Sequence, residues 1–336
     1  MKKNLLLLFC SCLVVFLAAE GVARLFFPQW APRAGRMTQF WRYDSRYGWS
    51  NVPGAKGAFQ SFGFDTNVTI NERGFRGPMV PYERTPGKKR VEILGDSYVW
   101  GYGVNEDEMF TAVLPQYLDG AEVVNLGVTG YSTDQELLVY KDEGYKYNAD
   151  YVVLVFCMND VDGNTTRVQY ATYEKPVFVL DNDQLRLENQ PVKRSALWKR
   201  GVVALTSHSY VINTMYRVLA EAVLKAKPQL QQASPDNTFP ASAGDKLTAR
   251  LILEFQRAVA EKQPNSKFLV VLVEDMAPNY AHQVADYLTR FHIDALPLGE
   301  HVDRNDRSLH LPDENHWSPA GNRLVAKSIA DFISRR

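Results

Sequence analysis

The run V-E-I-L-G-D-S-Y, Val91 to Tyr98, passes within a few residues from an apolar, strand-like stretch into a Gly-Asp-Ser turn. A serine hydroxyl is a poor nucleophile at neutral pH. Acyl transfer from it needs an imidazole within hydrogen-bond reach and a carboxylate that holds the imidazole tautomer. Far downstream the chain reads D-E-N-H, Asp313 to His316, so Ser97, Asp313 and His316 supply nucleophile, orienting acid and base in the order Ser, Asp, His. Each segment alone also has an ordinary reading. A Gly before a Ser is commonly a simple turn, and Asp313 and His316 fit a surface loop or a helix cap equally well.

Working outward from Ser97, the sequence alternates. Strands are predicted over 91–94, 122–126, 151–156, 267–273 and 293–296, with helices over 109–118, 133–145, 245–263, 279–291 and 319–334. The third strand, Y-V-V-L-V-F, is an unbroken apolar run of the kind buried on both faces of a parallel sheet. Strands alternating with helices imply an α/β fold, a three-layer αβα sandwich with a central parallel sheet and right-handed crossovers. The candidate residues then fall beyond the carboxyl ends of the strands, where open α/β sheets bind ligands.

Two further segments lie between Ser97 and His316. N-L-G-V-T-G-Y-S, Asn125 to Ser132, follows one predicted strand, and C-M-N-D, Cys157 to Asp160, follows another. With these four blocks in this order the chain resembles the SGNH or GDSL hydrolase superfamily, whose sheet is flavodoxin-like. The resemblance implies Ser97 as nucleophile, His316 as base and Asp313 as its orienting acid. It implies an oxyanion hole built from the backbone N–H groups of Ser97 and Gly127 and the side-chain amide of Asn159. Preorganised neutral donors of this kind contribute strongly to the catalysis of acyl transfer. One position departs from the family pattern: the third block commonly begins with Gly, and here it begins with Cys157, which we read as a small buried thiol. D-S-R-Y-G-W (Asp44 to Trp49), I-N-E-R-G-F-R-G (Ile70 to Gly77) and G-Y-G-V-N-E-D-E after the nucleophile resemble a bacterial membrane-anchored branch. Arg73 and Arg76 are expected to serve in structural salt bridges.

The N-terminus carries Lys2 and Lys3 before an uncharged run from Leu5 to Ala19, then Glu20 and Arg24 amid further apolar residues to Phe27. About 20 apolar residues cross a bilayer as a helix, so residues 1–27 are read as an uncleaved anchor, with a signal peptide as the alternative. Both readings export the domain, to the periplasm or the cell exterior. Residues 28–89, rich in Pro, Gly and Arg, are expected to form an extended arm over a hydrolase domain at 90–336. A helical insertion at about 161–244 is placed to overhang the site, as a lid or as a packed subdomain.

The 336 residues are 46% hydrophobic, and 38 basic residues balance 38 acidic ones. That balance gives no indication of a nucleic-acid partner. Cys10 and Cys12 lie in the anchor, leaving Cys157 alone in the domain, and no metal-site spacing is present. The histidines His208, His282, His292, His301 and His310 are scattered, although His310 is close enough in sequence to His316 to line the cleft. Gly101 and Gly103 lack the third glycine of a dinucleotide motif, and no cofactor is implied. The expected activity is an exported serine esterase acting on an acylated small molecule, glycan or lipid. An O-acyltransferase shares every step until a sugar hydroxyl replaces water, and a non-catalytic envelope scaffold is the reading from another class.

Overall fold

The computed structural model describes residues 2–27, 30, 39–61, 63–169, 173–194, 196–226, 239–273, 275–312 and 315–336. The chain begins with helix α1 (Lys2–Phe26) and two antiparallel hairpins, β1 (Trp41–Asp44) with β2 (Gly48–Asn51) and β3 (Lys56–Ser61) with β4 (Phe64–Thr69). The alternating region follows: β5 (Arg90–Leu94), α2 (Ser97–Trp100), α3 (Phe110–Val113), β6 (Glu122–Asn125), α4 (Thr133–Asp142), β7 (Tyr151–Phe156) and α5 (Asn159–Thr165). Next come two short antiparallel pairs, β8 (Val168–Gln169) with β9 (Tyr173–Glu174) and β10 (Val177–Asp181) with β11 (Gln184–Glu188). Helices α6 (Leu197–His208) and α7 (Tyr210–Ala226) precede α8 (Ala243–Lys262), β12 (Lys267–Leu272), α9 (Pro278–Thr289), β13 (Asp294–Pro297) and α10 (Pro319–Ser334).

Five strands make one parallel sheet in the order β13-β12-β7-β5-β6. The side-chain period of two sorts its residues onto two faces. Val91, Ile93, Val153, Val155 and Val271 enter one core with α10. Leu94, Val152, Leu154, Phe156 and Val270 enter the other with α4 and α8. The apolar run of β7 is therefore buried along its whole length, and the chain has the three-layer αβα architecture.

The region before β5 is more structured than an extended arm. Its hairpins contribute Phe40, Phe59, Val68 and Ile70 to a third core that closes over Trp100, Tyr102 and Leu311, immediately downstream of Ser97 and upstream of His316. Helical periodicity in 193–227 resolves into α6 and α7. The same insertion also holds β8 to β11, which periodicity does not separate. The helix expected over 109–118 is broken: α3 ends at Val113, and Pro115 sits in a 3-10 turn, Leu114–Gln116.

Arg73 and Arg76 pack structurally, but among the described residues neither forms a salt bridge. Arg76 is almost fully buried, and its guanidinium lies 4.6 Å from the Trp100 ring. It donates to the carbonyls of Trp100 (3.3 Å), Asn67 (3.2 Å) and Val104 (2.6 Å), and also to that of Gly101. Arg73 lies 3.7 Å from the centre of the Tyr82 ring and donates to the Val80 carbonyl.

Candidate functional site

Ser97 stands at the first position of α2, directly beyond the buried strand β5. Gly95 makes that abrupt strand-to-helix step possible, because a Cβ there would sit 2.4 Å from Val99 Cγ2 and 3.2 Å from Val155 Cβ. Asp96 caps the turn, accepting the Tyr98 N–H on Oδ1 at 3.0 Å. Gly101, at φ 83°, closes it by donating its N–H to Ser97 O at 3.1 Å. An amide in the first turn of a helix has no intrahelical acceptor, and that is the position of the Ser97 N–H.

His316 arrives from the opposite end of the chain, three residues before α10. Its Nε2 lies 2.7 Å from Ser97 Oγ. Backbone pairing on both sides pins the loop: Leu311 N–H donates to His316 O at 2.8 Å, and His310 and Trp317 form an antiparallel bridge. Two tyrosine rings pack on the imidazole. Tyr102 stacks on it at 4.3 Å and 25°, and Tyr98 lies on it at 5.0 Å and 38°. The Tyr98 hydroxyl also donates to Asn315 O at 3.2 Å. Asp313 and Glu314 fall outside the described residues. His310 is buried, with Nδ1 3.0 Å from Asp306 O.

Asn159 opens α5, beyond the carboxyl end of β7, next to the end of β5 in the sheet. Its Nδ2 donates to Asp96 Oδ2 at 3.2 Å, and the same oxygen lies 3.4 Å from Ser97 Oγ. Asp96 therefore ties the Asn159 amide to the Gly95–Ser97 turn. Cys157 lies behind them, fully buried, with Sγ 3.6 Å from Asp96 Oδ1. Burial, and then the charges of Asp96, Asp160 and Asp275, push its thiol well above the usual range. It is a neutral packing group, in keeping with its place at the end of an apolar strand.

Gly127 lies in the loop after β6, against the back of α2. A Cβ on it would stand 2.4 Å from Trp100 N and 2.7 Å from Val99 C, so the close approach demands glycine. Its N–H donates to Asn125 Oδ1 at 2.9 Å. Three residues on, the same loop carries a second glycine, Gly130, at φ 78°.

Beneath the site runs a set of buried carboxyl groups that sequence reasoning misses. Asp160 accepts the Cys157 N–H at 3.2 Å and the Thr133 hydroxyl at 3.5 Å. Burial, and then the Asp96 charge, raises Asp160 well above the carboxylate range. Burial and Asp160 do the same for Glu136. Asp134 is matched by Lys175 at 2.7 Å and is pushed up only to about 6, by burial. Single acidic residues scattered through amphipathic helices carry no signal in sequence that they will meet. Tyr98 and Tyr102 are likewise indistinguishable in sequence from core aromatics, and Asp96 carries no signal beyond its place in the Gly-Asp-Ser turn. Among the described residues, no three His, Cys, Asp or Glu side chains come together as a metal-binding group.

The GDSL-like Lipase/Acylhydrolase family matches residues 93–324. Among curated proteins no match was found. Solved structures similar to this chain include a lipolytic protein of the G-D-S-L family from Desulfitobacterium hafniense, 13% identical, covering 73% of this chain and 99% of that one at a TM-score of 0.42. A GDSL-like lipase from Bacteroides thetaiotaomicron is 12% identical, with coverage of 75% and 91% and a TM-score of 0.41. A two-domain esterase active on acetylated mannans is 11% identical, with coverage of 74% and 49% and a TM-score of 0.41.

Proposed function

The chain belongs to the GDSL-like lipase/acylhydrolase family and is a serine hydrolase acting on ester bonds, and from that premise we propose that it is an exported, membrane-anchored esterase that removes an O-acyl group from an envelope glycan or lipid. The observation that carries the catalytic part is the 2.7 Å contact between Ser97 Oγ and His316 Nε2 at the carboxyl end of the sheet.

In the proposed sequence Ser97 Oγ attacks the ester carbonyl as its proton passes to His316 Nε2. Asp313 would orient the ring from Nδ1. The tetrahedral oxyanion is received by the Ser97 N–H, the Asn159 side-chain amide and a backbone N–H from the loop after β6. Collapse expels the leaving alcohol, which takes the proton back from His316. Water activated by the same imidazole then hydrolyses the acyl-enzyme and restores Ser97. For the third donor the Gly127 N–H would have to exchange its Asn125 acceptor for the oxyanion. Export and anchoring are supported by α1, a helix whose span from Lys3 to Phe26 is long and apolar enough to cross a membrane.

The test is hydrolysis of short-chain aryl esters by the full chain in detergent, wild type beside Ser97→Ala, with and without a sugar acceptor. Turnover that disappears in Ser97→Ala supports the esterase. Acyl transfer to the sugar in place of hydrolysis would reassign the protein to the acyltransferases. Turnover undiminished in Ser97→Ala would remove Ser97 from the mechanism.

A further inference from the structure

The hairpin of α6 and α7 presents an amphipathic helix turned inside out. Met215, Val218 and Leu219 of α7 are 60%, 60% and 62% exposed. Spaced by three and four, they form one ridge on the helix surface. Asn213, two positions before Met215 and so on the far side of the helix, is buried and donates to Trp30 O at 3.5 Å. Leu205 of α6 is exposed as well. In water this arrangement is costly, since contiguous apolar patches on soluble proteins are small.

What adjoins this ridge identifies its solvent. The N-terminus of α7 docks on α1 through Glu20, whose carboxylate accepts the N–H groups of Tyr210 (3.0 Å) and Val211 (3.1 Å) and the Ser209 hydroxyl (2.8 Å). Two orphan amides of the helix start are thereby satisfied by a negative charge placed where the helix dipole favours it. Arg24 completes the joint. It is paired with Glu20 at 2.8 Å, donates to His208 O at 2.6 Å and lies 5.0 Å from the Tyr210 ring. The joint lies in the last two turns of α1, beyond the uncharged run that ends at Ala19. Before the joint, α1 is largely uncovered, with Leu8, Val14 and Val15 all more than half exposed.

We propose that the α6–α7 hairpin is an interfacial membrane element, with the Met215–Val218–Leu219 ridge immersed among lipid acyl chains beside α1. The inference rests on the reading of α1 as a membrane span. A helix with one apolar side and charges elsewhere settles in the plane of the interface, burying its apolar face at the headgroup boundary. The level fits, because α7 starts at the charged end of the span. Lys193 and Arg194, both exposed, lead into α6, a basic pair suited to anionic headgroups. A bilayer covers α1 and the ridge together.

The test uses the full chain with Cys10→Ser and Cys12→Ser, reconstituted in phosphatidylethanolamine–phosphatidylglycerol vesicles. An environment-sensitive fluorophore is placed in turn at Met215→Cys, Leu219→Cys, Leu8→Cys and Lys88→Cys, and nitroxide-labelled lipid is the quencher. The expected result is blue-shifted, quenched emission at 215 and 219 as at 8, with emission at 88 unquenched. Quenching at 8 without quenching at 215 and 219 would overturn the hairpin proposal and leave the anchor standing. Loss of quenching at 8 as well would overturn the anchor, and the hairpin proposal with it. Disulfide-linked pairs of chains formed through Leu219→Cys, with that position unquenched, would assign the ridge to a second copy and overturn the lipid assignment.

Discussion

Around Ser97 a handful of side chains meet, and they differ in how their positions are encoded. That Ser97, Asn159 and His316 lie close together is legible because their blocks carry local constraints: a strand that must end, a turn that must be tight and a polar residue where a core should continue. The Tyr98 and Tyr102 rings around His316 are not legible, since nothing local distinguishes an aromatic that packs on a base from one that packs in a core. Their effect is physical all the same. In the proposed mechanism His316 takes the Ser97 proton and becomes a cation lying against aromatic faces, an arrangement worth about 0.5–2 kcal/mol. Tyr102→Leu is therefore expected to lower kcat for an aryl ester by roughly tenfold, whereas Tyr102→Phe, which keeps the ring, retains most of the rate. Asn159→Ala is expected to cost about 10²–10³ in kcat with a near-normal melting temperature, by loss of an oxyanion donor. An unchanged rate would remove Asn159 from the hole.

At the scale of elements, the strands and the long helices are readable from periodicity, and α10 begins and ends where the Pro319 signal and the amphipathic pattern place it. The small hairpins are not, because strands of this kind are fixed by the body they cover rather than by their own pattern. Arg76 shows how such a covering segment governs the site. It donates to carbonyls at Trp100, Gly101 and Val104, at the end of α2 and in the turn that follows it. Arg76→Met would keep much of the volume and leave those buried acceptors unpaired, at roughly 1–3 kcal/mol for each group that water cannot reach. Urea unfolding should show at least that much lost stability, and esterase turnover should fall even where the variant is folded. Stability equal to wild type would contradict the clamp.

The whole molecule joins a parallel sheet, legible from its alternating pattern, to buried ionisable groups that no pattern announces. Glu92, in the middle of β5, is fully buried and pushed up to about 8, chiefly by burial, with the Glu143 charge adding to the rise. Its folded pKa lies above its unfolded value of 4.5, so between those values the folded chain binds more protons than the unfolded one. Stability contributed by this residue is thus present below about 4.5 and falls as pH rises toward about 8. Glu92→Gln, neutral at every pH, should flatten that slope and stabilise the protein by about 1–3 kcal/mol at pH 8 relative to pH 5. Parallel pH profiles for the two proteins would contradict it. The central claim, that Ser97 is the nucleophile activated by His316, is tested most directly by intact mass of the full-length chain after reaction with a fluorophosphonate. A single adduct mapping to Ser97, absent in Ser97→Ala and much slower to form in His316→Ala, is predicted. An adduct at another residue, or labelling that survives in Ser97→Ala, would contradict the account.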